Sequence, residues 1–399
     1  MVTEGGPALI ERAKEMIVTG QLDEGYRAAR KAVRVLSGKP EEGAALNVLA
    51  EIQLERGEVD EARSLLLRSV ELDSDGLAPE YLGGGPEKFL HLAQICEDGG
   101  EESVRWFEKG AEVLRAQLAS LTISNPQGDG IEGAAVEEKS SKLAAALCGI
   151  IEVYMTDLSF SSDAESKCES LITEALLVGP DDPGTLQTLA NVRISQGRTD
   201  EAVKALKDSL ALWNKLPPEE EGVPAFASRI SLARLLMEVE MLKEALDVLE
   251  RLVVEDDRSV EAWYLGGWCL HLLSGTANTN GVSGHRATTN GHTEEEEGEE
   301  GSTRRAQVAS REWLRQSLKL YEALDYEDER LAEHAKELVK ELDEVLGPDT
   351  TGEDDADDDG GDEDEDWEDD SDGDGDGDAA GAGEDEDEDE GEDENMHDS

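Results

Sequence analysis

The stretch LNVLAEIQLERGEVDEARSLLLRSVEL, residues 46–72, decides the fold. Leu49 and Ala50 lie in its first half, Gly57 interrupts it, and Ala62 lies in its second half. Glycine suits a tight turn, and small side chains let two helices approach to about 8–10 Å. The stretch therefore predicts two helices that are joined by a short turn and packed as a hairpin.

The same order of residues recurs further along the chain. Residues 186–209 repeat it, with Leu186, Leu189, Ala190, Gly197, Ala202 and Ser209 in the corresponding places. Two copies of this kind resemble the tetratricopeptide repeat, a helical hairpin of about 34 residues that stacks on its neighbours. The resemblance implies a superhelix whose concave side is lined by the first helix of each hairpin.

Weaker copies of the pattern fill the intervals, near Ala13, Leu92, Ile150, Leu232 and Trp263. After them, residues 331–345 keep a 3.6-residue apolar period, as a helix does when it caps a stack. We predict an all-α fold over residues 1–346: a right-handed superhelical solenoid of about seven tetratricopeptide-like hairpins plus a C-terminal capping helix. A plain helical bundle is the structural alternative.

Two segments have compositions that do not favour packing. Residues 274–303, rich in Gly, Thr, Asn and Glu, predict a disordered insertion in the last repeat. Residues 347–399 contain 30 Asp or Glu, no Lys or Arg, and Trp367 as their one aromatic residue, which predicts a disordered acidic tail.

The net charge of −61 is not confined to the tail, because residues 1–346 carry 67 acids against 36 bases. Such a field repels nucleic-acid phosphates and anionic lipid, and it attracts cationic partners. We therefore expect no direct nucleic-acid binding and no membrane association. The start of the chain shows no secretory signal, and no apolar run reaches the length of a membrane span, so an intracellular protein is expected.

Motifs for catalysis are absent from the sequence. It has no P-loop, no GxGxxG after a strand, no HExxH and no GxSxG, and its six histidines are scattered. The run DGDGDGD at 372–378 begins like a calcium loop but has Gly383 where the bidentate Glu would stand. Four separated cysteines without CxxC spacing predict reduced thiols. We expect no enzyme activity, no cofactor and no metal.

Partner contacts are expected from outward positions of the first helices. Acids beside amides and aromatic rings suit an extended segment that bears Lys or Arg. The candidate residues are Asn47, Glu51, Glu55, Glu97, Glu152, Asp157, Gln187, Asn191, Glu238, Trp263, Tyr264 and Trp268. For each of them a solvated helix face is the alternative, or core packing for the tryptophans.

Irregular tetratricopeptide hairpins, an insertion in the last one and a terminal acidic tail resemble the fungal dedicated assembly chaperones of the fourth ribosomal protein of the large subunit. The resemblance implies a chaperone that binds a newly made, basic ribosomal protein by an extended loop or tail. It also implies escort from cytoplasm to nucleus. Lys and Arg form no cluster longer than Arg304-Arg305, so the sequence shows no import signal of its own and an import receptor is expected to be reached through the client. A histone chaperone, or a scaffold that serves as a co-chaperone adaptor, is the alternative.

Overall fold

The computed structural model describes residues 5–124, 131–220, 222–280 and 294–347. Within these ranges the chain forms fifteen α-helices, one short 3-10 turn at Glu80–Leu82 and no strand. The helices are α1 Gly6–Val18, α2 Leu22–Leu36, α3 Glu42–Glu55, α4 Val59–Leu72, α5 Glu87–Gln94, α6 Gly100–Ser124, α7 Ile131–Met155, α8 Ala164–Val178, α9 Pro183–Ser195, α10 Thr199–Trp213, α11 Phe226–Glu238, α12 Leu242–Glu255, α13 Val260–Asn280, α14 Glu294–Leu324 and α15 Glu329–Leu346.

Consecutive helices pair into seven hairpins, α1–α2 through α13–α14, and each hairpin packs against the next. The helix α15 lies against α14 and α13 at the end of the stack. The all-α class, the seven hairpins and the capping helix are therefore confirmed.

The two clearest repeat copies show how the sequence sets a hairpin. Gly57 and Gly197 turn the chain with positive φ of +76° and +70°, a conformation in which a side chain would be strained. Ala50 and Ala190, on the first helices, are completely buried where the paired helices cross. The small residues therefore do what the repeat pattern requires of them.

Apolar contacts continue along the stack. The largest cluster joins buried residues of α9 through α15, and a second one joins α5 through α9. In the last hairpin Gly266 lies against the ring of Trp313 so closely that a Cβ would come within 2.1 Å of it. The glycine therefore allows α13 and α14 to pack with a tryptophan between them.

The capping helix begins at a side-chain cap. The Asp328 carboxylate accepts a hydrogen bond from the Leu331 backbone N–H at 3.1 Å. Leu331, Ala335 and Leu338 are buried against the preceding hairpin, and they shield the end of the apolar stack from water.

The predicted insertion at 274–303 is shorter in the structure. Helix α13 continues to Asn280 and α14 begins at Glu294, so both edges of the segment are helical. Glutamate is a good helix former and is favoured in the first turn, which explains the early start of α14. Residues 281–293 lie outside the described residues.

The chain divides into a compact unit, Met1–Pro348, and a second unit, Asp349–Ser399. The predicted acidic tail lies outside the described residues, so its disorder stays a prediction. None of the described helices combines the length and the apolar character needed to cross a membrane.

Candidate functional site

A groove runs along the first helices of the fourth, fifth and sixth hairpins. It has a volume of about 800 Å³, and its walls come from α7, α9, α11 and the loop before α11. We call it the long groove; its lining includes Gln94, Phe107, Glu152, Asp182, Gln187, Asn191, Val223, Pro224 and Arg234. Three of the predicted residues, Glu152, Gln187 and Asn191, therefore share one surface.

The amide of Gln187 is the most unusual group of the long groove. Its residue is only 7% exposed, and its Nε2 has no hydrogen-bond partner in the part of the chain that the structure describes. A buried amide without a partner costs free energy, about 1–3 kcal/mol. The Nε2 atom is enclosed by protein, so a ligand carbonyl reaches it only if the side chain turns toward the groove, and pairing there would recover that cost.

Neighbouring polar groups of the long groove are already paired. Asp182 caps α9 by accepting hydrogen bonds from the backbone N–H and the hydroxyl of Thr185, at 2.6 and 2.9 Å. Cys148 also lines the groove, and burial raises the pKa of its thiol, which therefore stays protonated at neutral pH. These groups shape the groove and leave the exposed Glu152 and Asn191 to meet a ligand.

A second cavity adjoins the long groove. We call it the end pocket: about 530 Å³, lined by Arg234, Met237, Glu238, Tyr264, Leu265, Trp268, Leu272, Asp328, Arg330 and Leu331. Arg234 of α11 belongs to both linings, so the two cavities are neighbours at that residue. The end pocket holds three more of the predicted residues, namely Glu238, Tyr264 and Trp268.

The aromatic wall of the end pocket is fixed by α15. The Tyr264 hydroxyl lies 2.7 Å from Nδ1 of His334, and the rings of Trp268 and His334 meet edge to face at 5.1 Å. Burial raises the pKa of Tyr264, so its hydroxyl remains available for this hydrogen bond. The capping helix therefore positions the last rings of the groove.

Charge in the two linings is close to balanced. Glu152 and Asp182 face Arg234 in the long groove, whereas Glu238 and Asp328 stand beside Arg234 and Arg330 in the end pocket. The candidate acids predict an acidic groove. The long groove instead combines two acids with amides and apolar side chains, and the end pocket combines two acids with two arginines and apolar side chains. The acid surplus lies on other surfaces and in residues 347–399.

The other six predicted residues lie away from both cavities. Asn47 donates to the Gly83 carbonyl at 3.1 Å, and Asp157 accepts from the Gly100 N–H at 2.8 Å. Glu97 pairs with Arg63 at 3.3 Å. These three side chains are engaged in contacts within the chain.

Trp263 is engaged in a similar way. Its Nε1 donates to the Asp257 carbonyl at 2.8 Å and its ring meets Trp313 at 4.7 Å, which is the core-packing alternative. Glu51 and Glu55 are exposed on α3, outside both linings.

Sequence reasoning missed three contributors to the site. Asp328 and Arg330 reach the end pocket from the start of α15, and the 222–225 loop forms a wall of the long groove. The capping pattern could have placed α15 beside α13, but no local signal shows which of its residues face a cavity. Within the described residues no group of three His, Cys, Asp or Glu is arranged to hold a metal ion.

Comparison with known proteins places the chain in a family. A protein of Emericella nidulans named "Probable assembly chaperone of rpl4" is 47% identical over 356 residues, which cover 89% of this chain and 85% of that protein. A protein of the same name from Schizosaccharomyces pombe is 31% identical over 330 residues, or 82% of this chain and 88% of that one.

This chain belongs to the family of rpl4 assembly chaperones.

Structural comparison agrees with this family. A solved structure entitled "Assembly Chaperone of RpL4 (Acl4) (Residues 1-338)" is 50% identical and superimposes with a TM-score of 0.65, covering 68% of this chain and 98% of that one. The tetratricopeptide repeat model matches residues 18–76, which contain the stretch that predicted the fold. This chain and that structure therefore share the same helical fold.

Proposed function

We propose that this chain is a dedicated chaperone that binds a newly made, basic ribosomal protein of the large subunit, the counterpart of the rpl4 for which its relatives are named. It keeps this client soluble and escorts it to the pre-ribosome. The observation that carries the proposal is the long groove, which joins the first helices of three hairpins and presents an unpaired buried amide. A groove of this form suits an extended loop or tail of the client.

The long groove supports binding through backbone and charge contacts. The Gln187 amide pairs with a client carbonyl, and the exposed Asn191 amide offers a further donor and acceptor one helical turn away. Glu152, exposed on α7, pairs with a client Lys or Arg. The amides read an extended backbone and the carboxylate adds preference for a cation.

Attraction over longer distances comes from the rest of the molecule. A net charge of −61 raises the rate at which a basic protein meets the chaperone, and this rate falls as salt screens the field. Residues 347–399 supply 30 of the acids, so they contribute to this encounter. Release follows when ribosomal RNA, with a denser negative charge, competes for the client.

The rest of the proposal concerns activity and location. The chain acts by binding and carries out no reaction of its own, and it contacts neither nucleic acid nor membrane directly. It works in the cytoplasm and the nucleus. No basic run in 1–346 is longer than two residues, as in Arg304-Arg305, so the import receptor is reached through the client.

The test is a binding titration of the full chain with the rpl4 counterpart from the same organism. We expect a one-to-one complex whose affinity falls with added salt, and stopped-flow mixing should show slower association for a chain ending at Gly347. Core histones and acidic chaperone tail peptides serve as competing ligands. Preferred binding of either, or no complex with the ribosomal protein, would refute the proposal.

A further inference from the structure

The end pocket carries an inference that rests on the proposed function and adds client specificity to it. We propose that this pocket receives one bulky apolar side chain of the client segment, aromatic or leucine-like, flanked by basic residues. Charge alone does not distinguish one basic protein from another, because ribosomal proteins and histones both carry many Lys and Arg. An apolar pocket at the end of the groove supplies that distinction.

The position of the apolar and charged groups sets what enters the pocket. Met237, Leu265 and Leu331 are 8%, 1% and 5% exposed, so they form a buried apolar floor. Glu238 and Asp328 are exposed and lie at the rim. A side chain enters tip first, so its tip meets the floor and must be apolar, since an unpaired charge there would lose its hydration.

The walls of the pocket are ready for a ring or a branched chain. Tyr264 and Trp268 are held by His334, with 6.0 Å between the first two rings and 5.1 Å between Trp268 and His334. Rings prefer offset or edge contacts at about 4.5–7 Å, so a further aromatic ring fits beside Trp268. The volume of about 530 Å³ lies within the range of clefts that enclose whole small molecules, so one aromatic or leucine side chain fits inside it.

The rim complements a basic segment on both sides of the anchor. Arg234 is already paired with Glu261, whereas no ion pair of Glu238 is found among the described residues. The second oxygen of Asp328, beyond the one that caps α15, faces no described cation within ion-pair distance. Glu238, Asp328 and Arg330 are the charges left at the rim, two acids against one base, which favours Lys or Arg next to the anchor. Because both linings include Arg234, the same segment can extend into the long groove.

The experiment is a double-mutant analysis with the full chain. Peptides that tile the rpl4 counterpart identify the bound segment, and alanine scanning of that segment locates the residue with the largest effect. Leu272→Lys places a charge in the end pocket, and Leu273→Lys, one residue along α13 and outside the lining, is the matched control. Trp268→Leu is a second variant that keeps the pocket apolar, and thermal unfolding checks that each variant folds.

We expect one bulky apolar client residue whose replacement by alanine weakens binding about tenfold or more. That effect should persist in the Leu273→Lys control and fall below about twofold in Leu272→Lys. The pocket assignment would be overturned if the alanine substitution in the client had equal effects on binding to Leu272→Lys and to Leu273→Lys. It would also be overturned if the largest effect lay at a client Lys or Arg, and in both cases the chaperone proposal stands. Absence of any bound peptide and of the whole client would instead count against the chaperone proposal.

Discussion

Asn47 and Gln187 occupy the same place in two copies of one repeat, yet they have different surroundings. Each follows the leading leucine of its hairpin, Leu46 or Leu186. The Asn47 amide nitrogen donates to the Gly83 carbonyl at 3.1 Å, while the Gln187 amide nitrogen, in the lining of the long groove, has no partner among the described residues. The repeat position makes a groove residue only where nothing of the chain itself covers it.

The 73–86 loop is what covers α3. Gly83 has φ +95°, and a Cβ on it would come within 2.2 Å of the Gly43 carbonyl carbon. Lys88 anchors the loop, donating to the Asp73 carboxylate at 2.8 Å and to the Gly83 carbonyl at 3.2 Å. We call α3 together with residues 73–88 the loop half, and the fourth to sixth hairpins, α7–α12, the groove half.

The largest effect should come from Lys88→Met in the loop half. The Lys88 side chain is fully buried, so the substitution leaves Asp73 without its cation in a poorly hydrated place and should cost about 3–5 kcal/mol. Urea unfolding of the full chain measures this. The exposed Lys14, paired with Glu11, is the control, and Lys14→Met should cost under about 1 kcal/mol. Similar costs for both variants would mean that Lys88 does not anchor the loop.

The second prediction replaces each of the two matched amide side chains with leucine. Gln187→Leu removes the proposed client contact, so affinity for the client should fall about tenfold. The free energy of unfolding should stay the same or rise, because the substitution also removes a buried amide without a partner. Asn47→Leu removes the contact to Gly83 and should cost about 1–3 kcal/mol of stability with client affinity unchanged. Titration with the client measures the affinity of both variants, and urea unfolding measures their stability. A loss of affinity in Asn47→Leu would show that the loop half also binds the client.

The third prediction compares two exposed acids with the same charge change. Glu152→Lys should weaken client binding several-fold at low salt, by about 0.5–1 kcal/mol, because the proposed partner is a cation. Glu97→Lys instead breaks the pair with Arg63 outside the groove. Binding isotherms at rising salt should show the Glu152→Lys deficit shrink. Equal deficits for both variants would indicate general charge and no defined contact.

The smallest expected effect is a pH dependence within the groove half. Hydrogen bonds from Arg193 lower the pKa of Glu169, and hydrogen bonds from Arg229 lower the pKa of Glu255, both below 4.5. A lowered folded-state pKa adds stability that is present above the unfolded value and is lost as pH falls through the folded one. We therefore expect the free energy of unfolding, measured in urea, to decrease as the pH drops below about 4.5. The decrease should be under about 1 kcal/mol for each partly exposed group.

Arg193→Met tests the assignment of that pH dependence. This variant should show a shallower decline in acid than the parent chain, because Glu169 loses its main hydrogen-bond donor. Lys204→Met on α10, an exposed position, is the control and should leave the acid profile unchanged. An unchanged profile in Arg193→Met would assign the acid sensitivity to other carboxyl groups.

The fold was predictable because its signals are local. Turn glycines such as Gly57 and Gly197, and alanines a fixed number of residues away, appear in the sequence at the spacing that a helical hairpin requires. The capping helix could be predicted from its 3.6-residue period in the same way. The edges of the last insertion were harder to predict, because a run of glutamates is compatible with a solvent-exposed loop and with a helix.

The site was predictable only in part, because it depends on contacts between distant residues. Asp157 caps α6 from 57 residues away, and Asn47 reaches Gly83 across 36 residues. No spacing within one repeat shows such pairings. Six predicted residues on α7, α9, α11 and α13 line the two cavities, and their role in partner binding stays a prediction. Asn47 of α3 does not line a cavity, since the 73–86 loop that it contacts has no counterpart in the repeat pattern.

Helix α15 comes last in the chain, and this determines when, during its own synthesis, the protein becomes able to bind its client. Each hairpin packs mainly on its neighbours, so hairpins can form one after another as the polypeptide leaves the ribosome. Asp328, Arg330 and Leu331 emerge only after all seven hairpins. During its synthesis the chaperone therefore completes the long groove before the end pocket, and it can select its client only after the final helix has emerged.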